Sequence, residues 1–517
     1  MKNKLRQIAL SVVGFLIAFP ASAQTAATGP YLAPQAVKNF YAASGDGKVW
    51  ENGKQYTALL HGLEALRDHG LNPDHYHYEA LAALTNAPAK REKLATDAWF
   101  SAASHMIYGK LDPLTIEPDW TAARRKVDLA TKLRTALESG NVATSLEELA
   151  PQQPGYEKLR QELARLRKLP VNHTTRIQIQ DGPTLRAGDQ GERVQQLRHR
   201  LIELGHLTQS DITRPTFDAQ TDAAVKAFQS HEGLDSDGLV GAATREALNR
   251  TVGSKIGQIR VNLERWRWLP DELGRRHIRV NIADFNLTTW ENGAAVKTHR
   301  TIVGKAYRKT PVFSGSIRYV VFNPWWETPN SIARKDKLPA FQKDPSSVSK
   351  LGFEVLDNKG QKINPDTINW RNYSGSNFPF RLRQSPGPQN ALGQVKIMFP
   401  NQHSVYIHDT PNRELFNRST RAMSSGCVRT QHPLDLTAWL LMETPAWPKE
   451  AQDIALASGK ETRADLNAPV PVHVLYSTVV ADADGRIRYL NDVYERDAAV
   501  FDALKETYIA RPIGLIK

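Results

Sequence analysis

The chain contains one cysteine, Cys427, among its 517 residues. No intramolecular disulfide can therefore hold any part of the fold, so its stability must come from buried apolar cores. A chain of this length exceeds what a single core usually supports, and we expect two or more domains. Hydrophobic residues make up 41% and charged residues 23% of the sequence, proportions that are ordinary for globular domains.

The N-terminus, Met1–Ala23, predicts a secretory signal peptide. Lys2, Lys4 and Arg6 precede an apolar run, and Ala21-Ser22-Ala23 has the small-residue pattern of a cleavage site. No later run is apolar for long enough to span a bilayer. We therefore expect an exported chain with no integral membrane span after cleavage; an uncleaved anchor is the alternative.

The formal net charge of +13 includes three positive charges within the predicted signal peptide. A basic exported protein suits an anionic surface or polymer such as the cell envelope. Nucleic acid is the usual competing partner of a basic chain. The export signal and the lack of a basic and aromatic stripe argue against it.

A free cysteine in an exported chain suggests a reactive role, because secreted proteins mostly use cysteine in pairs. Cys427 lies on a Ser-Gly-Cys turn ahead of a helix predicted to open at Pro433. His408 ends a predicted strand, Ser404–His408, and could accept the thiol proton. Gly426 permits unusual backbone geometry, and N–H groups at this turn could face an oxyanion. Taken singly, a lone cysteine or histidine is more often structural.

The residues around this pair resemble the signature of the YkuD-type L,D-transpeptidases. Tyr406-Ile407-His408 is followed by a predicted surface loop, Asp409–Ser425, and then by Ser-Gly-Cys-Val-Arg. Many members of that family carry His where this chain has Ser425. The resemblance implies that Cys427 is acylated and that His408 is the base.

The resemblance also implies a set of residues that shape the substrate site. These candidates are Tyr406, Ser424, Ser425 and Arg429. The side chain of Arg429 suits either a carboxylate partner or a role in bracing the turn, and both readings stay open.

Residues 24–184 are predicted to form a helical scaffold domain, which resembles the N-terminal part of larger L,D-transpeptidases. Helical spacing of apolar residues is found in Ala33–Ala43, Tyr56–His69 and Ala95–Tyr108. His75 and His77 have no acidic or cysteine partners that would complete a metal site. We interpret both as structural or surface residues.

Residues 185–251 are predicted to form a three-helix unit. Apolar residues at helical spacing define the inner faces of its helices: Val194, Leu197, Leu201 and Leu204; Ala224, Val225 and Phe228; and Ala243–Leu248. The phrases GDQGERVQQL and GLDSDGLVGAATREALN resemble a peptidoglycan-binding domain. A small helical bundle without a ligand is the plain alternative.

Residues 276–517 are predicted to form a mainly-β catalytic domain, so that the whole chain is a multidomain α+β protein. Ile278, Val280 and Ile282 alternate with polar residues, and Glu291-Asn292-Gly293 is a hairpin signal. Further strands are predicted at Thr301–Gly304, Ser316–Phe322, Gly393–Phe399 and Ser404–His408. The connector, residues 252–275, carries Leu263, Trp266 and Trp268, which we expect to pack on a neighbouring domain.

One segment, about residues 325–380, does not fit the series of strands. It is predicted to be a largely irregular insertion with a short helix near Ser331–Lys337, and such insertions usually carry function. In the resembling enzymes a similar insertion caps the active site. Trp326, next to Trp325, is then a candidate wall for the substrate, and core packing is the alternative.

The resemblance implies a periplasmic enzyme that forms 3→3 cross-links between peptidoglycan stem peptides, with no metal or organic cofactor. Expected partners are stem peptides and glycan, with other cell-wall synthesis enzymes as a further class, and no nucleic acid. An L,D-carboxypeptidase or a lipoprotein-anchoring transpeptidase would use the same acyl-enzyme with another acceptor. Outside the enzymes, a non-catalytic peptidoglycan-binding structural protein remains the alternative.

Overall fold

The structure is a computed structural model that describes residues 31–44, 47–122, 124–169, 177–208, 214–482 and 484–506. The predicted signal peptide lies outside the described residues. The helices are α1 Pro34–Ser44, α2 Gly53–Ala65, α3 Tyr78–Ala83, α4 Pro88–Tyr108, α5 Pro113–Ile116, α6 Leu129–Ser139, α7 Val142–Ser145, α8 Pro154–Arg167, α9 Glu192–Glu203, α10 Ala219–His231, α11 Ala242–Asn249, α12 Val252–Arg267, α13 Asn330–Ile332, α14 Leu338–Lys343, α15 Ser347–Lys350, α16 Pro433–Leu441, α17 Lys449–Ala457 and α18 Asp497–Lys505. The strands are β1 Arg276–Asn281, β2 Asn286–Glu291, β3 Ala294–Gly304, β4 Phe313–Phe322, β5 Trp326–Glu327, β6 Phe353–Leu356, β7 Lys362–Ile363, β8 Arg381–Gln384, β9 Val395–Met398, β10 Ile407–His408, β11 Ala422–Ser424, β12 Val428–Thr430, β13 Thr462–Leu475, β14 Val479–Ala481 and β15 Ile487–Tyr489.

The N-terminal helices α1–α8 surround a core rich in aromatic residues. Helix α4 is central, because every residue from Ala95 to Tyr108 is buried. It begins at Pro88, which fits the first turn, and ends before Gly109. His77 pairs with the buried Asp97 at 2.9 Å, and His75 accepts a hydrogen bond from Lys110. Both histidines therefore contact other residues of the helical scaffold.

The three-helix unit has the predicted helices and its own core. The side chain of Asp218 caps α10 by accepting a hydrogen bond from the N–H of Thr221 at 2.8 Å. Gly205 follows α9 with φ +77°, a conformation that suits glycine at a helix end. The predicted inward residues Val194, Leu197, Leu201, Val225 and Phe228 are all buried.

Helix α12 is the element that joins the domains. Leu263 lies in the core of the scaffold, whereas Trp268, just beyond the helix, lies in the core of the C-terminal domain. Trp266 packs against both cores, so the prediction for this connector is confirmed. The amide of Gln258 donates hydrogen bonds to two backbone carbonyls of the C-terminal domain, and Arg260 donates one to the scaffold.

The C-terminal domain is built on a nine-stranded sheet in the order β11-β3-β12-β10-β9-β4-β13-β1-β2. Because β2 also pairs with β3, the sheet closes on itself. The predicted alternation is confirmed in β1, where Ile278 and Val280 are fully buried. The predicted hairpin at Glu291-Asn292-Gly293 connects β2 and β3, with positive φ at Asn292 and Gly293.

Residues 326–384, which we call the cap, form a folded subdomain, so the prediction of a largely irregular insertion is wrong. Strands β5, β8, β6 and β7 form a four-stranded sheet beside the helical stretch α13–α14, which includes a π-helical segment, Ala333–Lys337. The cap has its own core, which includes Trp326, Phe341, Phe353 and Trp370. The strands of the cap span only two to four residues, and its core residues lie far apart in sequence. No periodic sequence pattern therefore predicts the strands or the core.

The predicted strand Ser404–His408 is also shorter than expected. Only Ile407 and His408 form β10, and Ser404 has φ +54°, an uncommon conformation for a residue other than glycine. The Asn401 side chain bonds the backbone N–H and C=O of Val405, which takes the place of strand pairing there. The predicted loop Asp409–Ser425 contains a short 3₁₀ helix, Arg413–Asn417, and ends in β11.

Candidate active site

The pairing of β10 with β12 brings the two predicted catalytic residues to one face of the sheet. The strands are parallel, with Ile407 opposite Val428 and His408 opposite Arg429. Ile407 and Val428 are fully buried in the core, so their neighbours along each strand point the other way. Cys427 therefore lies next to Tyr406, with His408 as its diagonal neighbour on the adjacent strand.

His408 is held as a neutral imidazole. It is 5% exposed, and its Nδ1 lies 2.5 Å from the backbone carbonyl of Asp409. Because a carbonyl only accepts, Nδ1 carries the hydrogen and Nε2 keeps a free lone pair. Burial and the nearby Arg429 guanidinium lower the pKa of His408 to about 3. The side chain is therefore an unprotonated base at neutral pH.

Cys427 is a half-buried thiol surrounded by donors. Burial raises the pKa of Cys427, while hydrogen bonds from the backbone N–H and the hydroxyl of Tyr406 oppose this rise. In the thiol form the sulfur lies 3.9 Å from the backbone carbonyl of Ser404. The resting pair is therefore a neutral thiol and a neutral imidazole, and the donors are placed to stabilise a thiolate as it forms.

The turn before the sulfur is fixed by hydroxyl groups. The Ser424 hydroxyl donates to the backbone carbonyl of Cys427 at 2.6 Å and accepts from the N–H of Gly426 at 3.1 Å. Thr310 donates to the carbonyl of Gly426 at 2.8 Å. Gly426 has φ +119°, which other residues rarely adopt. Ser424 is 2% exposed, so the structure places it inside the turn.

This arrangement decides which N–H group can meet an oxyanion. The N–H of Gly426 is already used by Ser424, so it does not face a substrate. The N–H of Cys427 has no hydrogen-bond acceptor among the described residues. The structure therefore moves the expected oxyanion contact from Gly426 to Cys427, and Gly426 contributes its backbone conformation instead.

Ser425 connects the turn to the cap. Its exposed hydroxyl accepts a hydrogen bond from Arg308 at 3.0 Å. The guanidinium of Arg308 also forms a two-pronged ion pair with Asp336 in the π-helical segment of the cap. Neither Arg308 nor Asp336 stands out in the sequence, because they meet only through the packing of the cap on the sheet.

Trp326 lies in the core of the cap and is 7% exposed. Its ring packs against Phe353, and its indole lies near the hydroxyl of Tyr406, where it opposes the rise that burial causes in the pKa of Tyr406. Trp326 therefore supports Tyr406 from behind and does not form an open wall. Trp325 is half-buried, with the guanidinium of Arg383 4.5 Å from its ring centroid.

The segment between the two catalytic candidates also contacts the three-helix unit. Ser419 donates from its backbone N–H and its hydroxyl to the carboxylate of Asp235, at 2.8 and 2.7 Å.

Among the described residues, no group of three or more His, Cys, Asp or Glu side chains is arranged to hold a metal ion. In the same part of the chain no helix is long and apolar enough to cross a membrane.

Comparison with known protein families agrees with the geometry. The family described as "L,D-transpeptidase catalytic domain" matches residues 275–447, which include both His408 and Cys427. The C-terminal domain is therefore similar to L,D-transpeptidase catalytic domains. A "Putative peptidoglycan binding domain" matches residues 190–248, and a "Scaffold domain" matches residues 35–163.

Two curated relatives resemble parts of the chain. A putative L,D-transpeptidase of Haemophilus influenzae is 36% identical over 243 residues, which is 47% of this chain and 48% of that protein. The chain thus spans about half the length of this relative. The N-acetylmuramoyl-L-alanine amidase CwlM of Mycobacterium tuberculosis is 44% identical over 77 residues, which is 13% of this chain and 19% of that protein.

Solved L,D-transpeptidase structures resemble this chain more distantly. That from Stackebrandtia nassauensis is 12% identical, covers 58% of this chain and 96% of its own, and gives a TM-score of 0.21. That from Xylanimonas cellulosilytica is 16% identical, covers 57% of this chain and all of its own, and gives a TM-score of 0.18.

Proposed function

We propose that the protein is a periplasmic peptidoglycan L,D-transpeptidase that forms 3→3 cross-links through a cysteine acyl-enzyme. The observation that carries the proposal is the placement of Cys427 on one sheet face with His408 and Tyr406, next to a free backbone N–H. A thiol with a neutral base and a vacant N–H donor suits acyl transfer.

The proposed reaction has two halves. Cys427 attacks the carbonyl carbon of the third residue of a tetrapeptide stem, while Nε2 of His408 takes the thiol proton. The N–H of Cys427 donates to the developing oxyanion, and the terminal D-Ala leaves after its nitrogen receives the proton from His408. An amine of a neighbouring stem then attacks the thioester, gives up a proton to His408 and releases the thiolate.

Tyr406 supports this sequence without exchanging a proton. Its hydroxyl and its backbone N–H both lower the pKa of Cys427, so both interactions strengthen as negative charge develops on the sulfur. Each of them favours the thiolate over the neutral thiol. Tyr406 is therefore the link between the cap, which lies near its hydroxyl, and the nucleophile.

The location and the partners follow from other parts of the chain. The predicted signal peptide and the positive net charge support export to the periplasm and contact with an anionic polymer. The match of the three-helix unit to a peptidoglycan-binding domain supports glycan or stem binding by that unit. No cofactor is required, because the chemistry uses a thiol, an imidazole and backbone donors.

The product identifies the acceptor. Purified chain should be incubated with disaccharide tetrapeptide and the products analysed by mass spectrometry. We expect a dimer with a 3→3 bond and one released D-Ala for each bond formed. Tripeptide alone would identify an L,D-carboxypeptidase, and product only in the presence of a lipoprotein amine would identify an anchoring enzyme. No turnover of any stem would identify a non-catalytic binding protein.

A further inference from the structure

Three cationic side chains near the nucleophile have no carboxylate partner: Arg429 and Lys396 act on Cys427, and Lys337 acts on Arg429. Arg429 follows Cys427 by two residues on β12 and faces the same side of the sheet. Lys396 lies opposite His408 on β9, and Lys337 comes from the cap. No described Asp or Glu oxygen lies within 4.0 Å of a nitrogen of these three side chains.

Arg429 is half-buried, and its guanidinium makes no hydrogen bond or ion pair among the described residues. Its Nε is fully buried and has no hydrogen-bond partner. In contrast, Arg267 pairs with the buried Glu264 at 2.7 Å, and the guanidinium of Arg421 donates to three backbone carbonyls. Buried guanidinium groups are normally paired, so an unpaired one beside a nucleophile indicates a ligand. Arg429 therefore braces the turn through no hydrogen bond or ion pair among the described residues.

The two lysines are held by aromatic rings. The ammonium of Lys396 lies 4.3 Å from the ring centroid of Tyr406, and that of Lys337 lies 5.1 Å from the ring centroid of Phe353. Burial lowers the pKa of both lysines. Their surroundings are therefore partly desolvated, and a cation there lacks both full hydration and a counter-ion.

The acidic groups that act on these lysines are already engaged. Asp336, next to Lys337 in sequence, is paired with Arg308. Glu461, which acts on Lys396, accepts the backbone N–H of Trp325 at 2.6 Å. The site thus carries a surplus of positive charge that the protein itself does not balance.

We propose that Arg429, Lys396 and Lys337 bind the α-carboxylate of the residue that leaves the donor stem. This inference rests on the proposed function and adds a specificity site to it. That carboxylate is three bonds from the attacked carbonyl carbon, which is at most about 4 Å, so it must lie close to the sulfur. A free C-terminal carboxylate is then what selects the donor, and an internal peptide bond of the same stem lacks it.

The cap is part of this site because it supplies Lys337. A cation from the cap and two from the sheet meet only when the cap covers the sulfur. Binding of the carboxylate would therefore hold the cap against the sheet through Lys337. The cap is in this way a determinant of donor selection as well as a support for Tyr406.

The single cysteine makes the anion site measurable without a substrate. Iodoacetate and iodoacetamide alkylate the same thiol, but only iodoacetate carries a carboxylate. We expect the ratio of the two alkylation rates to fall about tenfold in Arg429→Gln and several-fold in Lys337→Gln and Lys396→Gln. Arg429→Lys should keep most of the preference for the anion. Lys335→Gln, an exposed lysine of the same cap segment, is the matched control and should leave the ratio unchanged.

A substrate pair tests the assignment of the carboxylate. The full chain should be given a tetrapeptide and its C-terminal carboxamide, and kcat/KM should be measured for both. We expect the wild type to prefer the acid by about 10- to 100-fold, and Arg429→Gln to lose most of that preference. Because Arg429 also lowers the pKa of His408 and of Cys427, the two peptides are compared as a ratio within each variant, which cancels any change in the nucleophile.

The two experiments separate the inference from the proposed function. If the alkylation ratio is the same in the wild type and all three variants, no anion site exists and the inference is wrong. If the ratio falls but the acid and the amide react equally, the cations bind another anion and the assignment to the leaving group is wrong. If neither peptide reacts, the proposed function fails, while the alkylation ratio still decides whether the cations form an anion site.

Discussion

The cap and the three-helix unit both contact the segment that carries the proposed catalytic pair, but with different chemistry. The cap reaches the residues that surround the sulfur: Trp326 lies beside Tyr406, and Lys337 lies close to Arg429. The three-helix unit contacts this segment at the loop between His408 and Cys427, where Ser419 donates to Asp235. The cap is therefore a part of the active site, whereas the three-helix unit is docked beside it.

We therefore expect the cap to affect the reaction at Cys427 and the three-helix unit to affect binding to the cell wall. Changes in the cap should alter the acylation of Cys427 by any reagent, small or large. Changes in the three-helix unit should alter the use of intact cell wall and leave small substrates almost unaffected. The predictions below test this division, in order of decreasing expected effect.

Removal of the sulfur should give the lowest cross-linking activity of all the variants. Cys427→Ala should abolish cross-linking and keep the fold, because a half-buried side chain on a turn contributes little packing. Product analysis by mass spectrometry measures the first result, and circular dichroism with thermal unfolding measures the second. If the purified variant still forms 3→3 dimers, the nucleophile is misassigned in spite of the geometry.

Removal of the base should give the next largest effect. His408→Ala should slow acylation by about 100- to 10,000-fold without moving the site of attachment. Stopped-flow or intact-mass time courses with a β-lactam provide the rate. A loss smaller than tenfold would show that another group accepts the thiol proton.

The pH dependence tests the electrostatics of the same residue. The pKa of His408 is lowered to about 3 in the fold, so the imidazole stays unprotonated well below its ordinary pKa of about 6.5. Acylation by the wild type should therefore change little between about pH 5 and pH 8. A tenfold fall centred near pH 6.5 would mean that His408 is solvated and that its burial is wrong.

Folding stability should respond in the acid range for the same reason. The unfolded chain binds a proton at His408 below about pH 6.5, whereas the folded chain does not until about pH 3. Stability from this group is thus present above pH 6.5 and is lost as the pH falls toward 3. Denaturant unfolding of wild type and His408→Asn at several pH values measures this contribution as a difference in slope.

The contribution of the cap is tested through the contact between Trp326 and Tyr406. Tyr406→Phe should slow acylation by about 10- to 100-fold, and Trp326→Phe by less, because Trp326 acts on the sulfur only through Tyr406. Trp439→Phe removes an indole hydrogen bond to Glu291, away from the site, and is the matched control. Equal acylation rates for Trp326→Phe and Trp439→Phe would show that the cap does not contribute to the acylation of Cys427 through Trp326.

The three-helix unit should give the smallest effect on small substrates. Asp235→Ala removes the acceptor of both Ser419 donors, and we expect a change of less than about threefold in acylation by a soluble stem peptide. Deletion of residues 185–251 should instead weaken binding to intact sacculi. Asp222→Ala, which breaks only an ion pair within the unit, is the control for Asp235→Ala. A large loss of acylation in Asp235→Ala would show that this unit positions the catalytic loop.

The sequence predicts the parts of the molecule that depend on local patterns. Helical spacing locates α9, α10 and α11, alternation locates β1, and a short motif identifies Cys427 and His408. Each of these signals lies within a few residues of the element that it predicts. The regular elements and the proposed catalytic pair are therefore accessible from the sequence.

The missed features depend on contacts between distant residues. The core of the cap brings Trp326 next to residues as distant as Trp370, and an ion pair joins Arg308 to Asp336, with no periodic sequence signal between the partners. Likewise, the hydrogen bond that occupies the N–H of Gly426 depends on how Ser424 turns into the loop. Only the packed structure decides these contacts, because the same residue types are common at exposed positions.

The central claim is that Cys427, activated by His408, forms an acyl-enzyme. Intact-protein mass spectrometry after incubation with a carbapenem tests it most directly, because a β-lactam presents a strained carbonyl to the thiol. We expect one adduct per chain, mapped by peptide digestion to the peptide that contains Cys427, and none on Cys427→Ala. An unmodified wild type, or an adduct mapped to Ser424 or Ser425, would contradict the claim.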